Sequence, residues 1–104
     1  MKIQINTDNN VRVSEAFSDK LDKVISNKLD RFSEHITRLE IYLSDINGHK
    51  PGVMDKKCII EARPQGKPPV AVSATGNNYE LAVKGATEKL NIKLSTLLSK
   101  MKTH

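Results

Sequence analysis

A two-layer α+β fold of order β-α-β-β-β-α is predicted by three features of this 104-residue sequence. Four stretches alternate apolar and polar residues, as strands wet on one face do. Two longer stretches repeat apolar residues at steps of three and four, as helices with one buried stripe do. Clusters of Gly, Pro, Asn and Asp separate them. A strand, a long helix and a second strand join most simply as a right-handed crossover, which makes those strands parallel; the next two follow as antiparallel neighbours. Both helices then share one face of a four-stranded mixed sheet and leave the other face open.

The first strand is Lys2 to Thr7, with Ile3 and Ile5 on one face and Lys2, Gln4 and Asn6 on the other. Asp8-Asn9-Asn10 is turn chemistry, and Val11 and Val13 extend the ordered entry to the next element. Ser14 can cap a helix whose first turn carries Glu15, favourable at the positive end of the helix dipole. That helix stacks Phe17, Leu21, Val24, Ile25, Leu29 and Phe32 on one stripe. Its outer face mixes Asp19, Lys20, Asp22, Lys23, Lys28, Asp30, Arg31 and Glu34, a balance of signs that reads as a solvated surface.

Thr37 to Ile46 alternates cleanly, with Leu39, Ile41 and Leu43 inward and Arg38, Glu40, Tyr42 and Ser44 outward. Asn47-Gly48-His49-Lys50-Pro51-Gly52 predicts a flexible loop. Lys56 to Arg63 resumes a period of two, with Cys58, Ile60 and Ala62 on one face. Pro64-Gln65-Gly66-Lys67-Pro68-Pro69 forces a second connection, and Val70, Val72 and Ala74 supply one face of a fourth strand that Gly76 ends. Asn77, three residues before Glu80, predicts a reciprocal N-terminal cap for the last helix. From Asn77 to His104 the apolar stripe is Tyr79, Ala82, Val83, Ala86, Leu90, Leu94, Leu97, Leu98 and Met101. The opposite side carries Lys84, Lys89, Lys93, Lys100 and Lys102 against the single acid Glu88.

Composition narrows the function classes. The length suits one compact domain over residues 1–104. With 4% aromatic residues and no Trp, its core must rest on Ile, Val, Leu and two Phe. No apolar run is long enough to span a bilayer and the N-terminus lacks the apolar segment of a signal peptide, so a cytoplasmic protein without a membrane partner is expected. The one cysteine, Cys58, falls in an apolar strand pattern and reads as a buried, inert thiol. The formal charge of +5 is unevenly spread: residues 1–54 balance eight basic with eight acidic side chains, whereas residues 55–104 carry nine against four. Such asymmetry hints at a polyanionic partner, although basic surfaces are often merely solvated.

Catalytic and metal motifs are missing. Gly66-Lys67 lacks the earlier glycine and following Ser/Thr of a phosphate-binding loop, and Pro68 would spoil the helix such a loop opens; it reads as a hairpin turn. His35, His49 and His104 fall in a helix end, a loop and the terminus, without zinc spacing, and one cysteine cannot complete a thiolate cluster. No nucleophile stands on a sharp turn, and the acids of the first helix are ordinary surface positions. A non-enzyme without cofactor, metal or small-molecule substrate is expected. The basic constellation survives the search. Lys84, Lys89, Lys93 and Lys100 are spaced by five, four and seven residues, which brings Lys89, Lys93 and Lys100 close to one line. Lysines of this kind suit phosphate contacts without base specificity. Lys50, Lys56, Lys57, Arg63 and Lys67 form a second group near the loops, and Tyr42 could stack on a base, though one Tyr more often serves cross-strand packing.

Asn9-Asn10-Val11-x-Val13-Ser14-Glu15-Ala16-Phe17, then Lys28-Leu29-Asp30-Arg31-Phe32 and Ile36-Thr37-Arg38, resembles the first half of bacterial ribosome hibernation-promoting factors. That family also goes under ribosome-associated inhibitor and sigma-54 modulation protein. Asn77-Asn78-Tyr79-Glu80-Leu81-Ala82-Val83, a helix of Leu and Lys, and the end Lys100-Met101-Lys102-Thr103-His104 resemble its last helix. The resemblance implies a domain similar to the double-stranded-RNA-binding fold. It implies binding to the small ribosomal subunit and its rRNA, in the channel of mRNA and tRNA, to silence idle ribosomes under stress. It also implies rRNA contacts from Lys28, Arg31 and Arg38 around the end of the first helix. On the second helix it implies contacts from Lys89, Lys93, Lys100 and Lys102, beside which Lys84 adds a further cation. Asn77-Asn78-Tyr79 replaces the frequent Asp-Met-Tyr, and Gly48 to Pro69 departs from the usual central hairpin, which marks a divergent branch. No second domain follows, so a short form is expected. The alternative from another class is a protein-interaction module, a weak homodimer formed through the open sheet face, with Tyr42 and Ile59, or through an edge strand.

Overall fold

The computed structural model describes residues 1–8, 11–46 and 55–101, with side chains as far as Ser99. Strands β1 (Lys2–Thr7), β2 (Ile36–Asp45), β3 (Lys56–Pro64) and β4 (Val70–Gly76) form one sheet in the order β1-β2-β3-β4. β1 lies parallel to β2 and the other pairs are antiparallel. Helix α1 (Glu15–Leu29) makes the crossover and α2 (Tyr79–Met101) follows β4. The fold is the two-layer β-α-β-β-β-α arrangement with both helices on one face. Asn9 and Asn10 of the expected turn, and the expected loop from Asn47 to Gly52, lie outside the described residues.

The alternation in β2 and β3 decides where the core sits. Ile41 pairs with Ile60, Leu39 with Ala62 and Leu43 with Cys58, all essentially without exposed surface. Leu21, Ile25 and Leu29 of α1 and Ala82, Val83, Ala86, Leu90 and Leu94 of α2 close over them. Burial of each Leu or Ile contributes about 1.5–3 kcal/mol. Thr87 is buried inside this stripe because its Oγ1 donates to the Val83 carbonyl at 2.6 Å, which satisfies the hydroxyl within its own helix. Cys58 is fully enclosed, and burial pushes its thiol up to about 12, so the thiolate is effectively absent at neutral pH.

Element ends show local chemistry at work. Ser14 Oγ accepts the Phe17 N–H at 3.0 Å, as expected. After Leu29 the chain tightens into one 3-10 turn, Asp30–Phe32, which carries Phe32 into the core. β2 begins at Ile36, one residue before the expected start. A register shift between Ile36 and Arg38 lets Ile36 and Leu39 both face inward although three residues separate them. The cap of α2 shown by the structure comes from Asn78, one residue beyond the expected Asn77: its Oδ1 accepts the Leu81 N–H at 2.8 Å. Glu80, expected to reach back to the cap, is instead held by Lys20 and Lys84.

Two glycines are set by geometry. Gly66 turns the β3–β4 hairpin at φ +72, open to L residues only with strain. At Gly76 a Cβ would lie 2.9 Å from the Ala82 backbone nitrogen, so the passage from β4 into α2 has no room for a side chain. Gly76→Ala is therefore expected to destabilise the protein by about 1–3 kcal/mol, the range for overpacking. A two-state denaturant titration measures it, and an unchanged midpoint would show that the junction can relax.

Candidate nucleic-acid interface

Three contacts define how the helices lie. Lys20 Nζ reaches Glu80 Oε1 at 2.6 Å, Lys28 Nζ reaches Glu88 Oε2 at 2.8 Å, and Arg31 Nη2 donates to Asn91 Oδ1 at 2.9 Å. Numbers rise together on both helices, so α1 and α2 run parallel with a groove between them. Lys84, Glu88, Asn91 and Ser95 recur at steps of four, three and four, which makes them one stripe of α2 facing α1.

The groove has two hollows. One is lined by Val24, Lys28, Lys84, Thr87 and Glu88, the other by Arg31, Phe32, His35, Ser95, Leu98 and Ser99. Val24, expected in the core stripe, is a half-buried lining residue here. In the first hollow the cations have acid partners: Lys28 holds Glu88, and Lys84 lies 3.2 Å from Glu80. In the second, Arg31 is held by neutral groups. Its Nη2 donates to Asn91 and to Ser95 Oγ, and its guanidinium sits over the Phe32 ring at 4.5 Å from the centroid. Among the described residues Arg31 makes no ion pair, so it is oriented without being neutralised. Its remaining N–H donors and its charge are available to an anion such as a phosphate.

The expected site residues do not form one surface. Lys28, Arg31 and Lys84 meet across the groove. Lys89 and Lys93 lie on the other flank of α2, by the sheet edge, where Lys89 Nζ donates to the Ser73 carbonyl of β4 at 2.8 Å. Lys93 is exposed and makes no ion pair among the described residues. Arg38 belongs to the helix-free face: it alternates with the inward Leu39 and pairs with Glu40 at 2.7 Å. The side chain of Lys100, and Lys102 altogether, lie outside the described residues.

The open sheet face is largely self-neutralised. Glu40 holds Arg38, accepts the Tyr42 hydroxyl at 3.2 Å and lies 3.9 Å from Arg63, which stands 2.9 Å from Glu61. The Arg38 hydrogen bond, reinforced by Tyr42 and Arg63, holds the Glu40 carboxyl below its ordinary value. In the expected loop-side group, Lys56 is structural. It bonds Asp45 at 2.9 Å, lies 3.5 Å from the buried Asp55 and stands over the Tyr79 ring at 5.8 Å, and the Asp45 bond holds its pKa up.

Sequence reasoning missed Asn91, Ser95 and Lys20 as parts of this surface. The first two share the helical spacing of Lys84 and Glu88, a signal that was legible; Lys20 had none, because its partner Glu80 is sixty residues away. Among the described residues no group of three or more His, Cys, Asp or Glu could hold a metal ion, and no helix is long and apolar enough to cross a membrane.

A four-stranded mixed sheet backed by two parallel helices, with Lys28, Arg31 and Lys84 lining the groove between them, defines a small α+β protein. This chain belongs to the family described as sigma 54 modulation protein / S30EA ribosomal protein, whose match spans residues 3–102. Two solved structures share the fold. The N-terminal domain of Protein Y from Thermus thermophilus is 20% identical, with 93% of this chain and 99% of that one covered and a TM-score of 0.72. A ribosomal subunit interface protein from Coxiella burnetii is also 20% identical, with 95% and 99% covered and a TM-score of 0.73. A comparison with curated protein sequences finds no match.

The Glu80 carboxyl, bonded first by Lys20 and then by Lys84, is held below its ordinary value of 4.5. A depressed carboxyl contributes stability that is full above its ordinary pKa and fades as pH falls through the lower folded value. Glu80→Gln should therefore lower the thermal midpoint slightly at pH 7 and not at pH 2–3, the effect being small because the pair is exposed. An equal difference at both pH values would assign the loss to packing instead of charge.

Proposed function

We propose that this protein is a ribosome-associated translation inhibitor of the hibernation type, which binds small-subunit rRNA through its helix layer and blocks the mRNA/tRNA channel under stress. The observation that carries the reading is Arg31, held at the mouth of the helix groove by Asn91, Ser95 and the Phe32 ring with no acid among the described residues to neutralise it. Membership of a family described by ribosomal names, and the likeness to a subunit interface protein, support a ribosomal partner.

The mechanism is occupancy. Arg31 offers a pre-oriented fork to a phosphate. Lys28 and Lys84 exchange exposed carboxylate partners for further phosphates, at little expense because such surface pairs are worth only about 0–1 kcal/mol. Lys93, and Lys89 once released from Ser73, offer a separate contact on the far flank of α2, with Lys100 and Lys102 following in sequence. No bond is made or broken, so the protein acts without catalysis or cofactor, in the cytoplasm where ribosomes are. Arg38, expected among the rRNA contacts, lies on the opposite, helix-free side of the sheet in a pair with Glu40 and stands outside this contact.

Co-sedimentation with purified small subunits over a salt series tests this. Binding should weaken steeply with salt, and Arg31→Ala should weaken it about 10- to 100-fold, as loss of a charge-assisted contact does. Each phosphate-contacting lysine removed, Lys28 or Lys84, should reduce the salt slope by about 1. Failure to co-sediment at low salt, or binding insensitive to both salt and Arg31→Ala, would overturn the reading.

A further inference from the structure

The β4 edge is unlike a protected sheet edge. β4 is the last strand of the sheet, and from Val70 to Gly76 it carries no charged residue, no proline and no register break. Charges, prolines and bulges are the usual devices that keep such an edge from pairing with another chain. Ser73 sends its carbonyl outward, where Lys89 takes it at 2.8 Å. Antiparallel pairing alternates the direction of main-chain groups, so Ala71 and Thr75 face outward with Ser73. Among the described residues no main-chain hydrogen bond joins this outward set to another element. Among the described residues, the one side-chain hydrogen bond to this outward set comes from the Lys89 ammonium.

The geometry points to a second copy of this chain as the partner of that edge, with Lys89 as the group that holds it shut. Two β4 strands set antiparallel about Ser73 place Ala71 opposite Thr75 and Val72 opposite Ala74. The edge is therefore self-complementary, as a two-fold interface requires, with no like charges brought together by the strands themselves. Among the described residues the like charges nearest the join are Lys89 and, one turn on along the same flank of α2, Lys93 of each copy. This inference rests on the sheet edge alone and holds whether or not the helix layer binds RNA.

The full chain, free of nucleic acid, is compared by analytical ultracentrifugation over a range of concentrations as wild type, Lys89→Ala, Lys89→Ala/Ser73→Pro and Lys89→Ala/Ser73→Lys. Lys89→Ala should tighten dimerisation roughly ten-fold, the scale of a released pair of surface charges. Proline at position 73 removes an outward N–H that the β3 ladder does not use, and lysine there restores a charge to the edge, so both second substitutions should return the protein to monomer. Circular dichroism checks that each variant is folded; if the proline variant is not, the lysine variant decides. The proposal is overturned if Lys89→Ala associates no more tightly than wild type, or if its dimer survives a second substitution in a folded protein.

Discussion

Everything in this structure depends on the dry face of two central strands. Leu39, Ile41 and Leu43 of β2 and Cys58, Ile60 and Ala62 of β3 form a continuous apolar floor that water must not reach. One helix is too narrow to cover four strands. The crossover α1 covers the floor from the side of β1 and β2, and α2 covers it from the side of β3 and β4; each brings three or more wholly buried residues to the task. Two parallel helices side by side leave a groove between them, and that groove is where Lys28, Arg31 and Lys84 converge. The cationic site is thus a by-product of covering a one-sided sheet.

Pairing decides what those cations can do. A lysine with an exposed carboxylate neighbour is neither locked nor lost, because solvent screening makes the pair nearly neutral in energy. Lys28 and Lys84 can therefore trade acid for phosphate. Arg31 differs in kind: the neutral acceptors Asn91 Oδ1 and Ser95 Oγ fix its plane while no acid among the described residues pairs with it, so less entropy remains to be lost when an anion arrives. On the far side of the sheet the same residue types lead to the opposite outcome. Arg38 and Arg63 share Glu40 and Glu61 within a flat face, and that face is close to self-sufficient.

The fold was largely legible in the sequence because its two periods are clean. Leu39, Ile41 and Leu43 announce a strand by alternation, and Ala82, Ala86, Leu90 and Leu94 announce a helix by spacing; their order then constrains the topology. The errors are local and physical. Asn77 and Asn78 are equally able to cap, and only the path of the chain out of Gly76 selects Asn78. Val24 fits the apolar stripe of α1 yet sits at its margin, where the groove opens. The site was legible only in part. The outward face of Arg38 followed from alternation, whereas its grouping with Lys28 and Arg31 came from the family resemblance, which says nothing about which side of a sheet a residue occupies. The Lys89 bond to Ser73 and the Arg31 bonds to Asn91 and Ser95 cross from one element to another, and no local pattern encodes them.

In the proposed complex the helix layer around Arg31 meets the nucleic acid and the open sheet face does not. Residue-resolved NMR of the isotope-labelled protein titrated with a small-subunit rRNA fragment tests it most directly. Signals of Lys28, Arg31, Lys84, Asn91 and Ser95 should shift together while those of Arg38, Tyr42 and Ile59 stay in place. Shifts confined to the sheet face, with the helix groove unmoved, would contradict it.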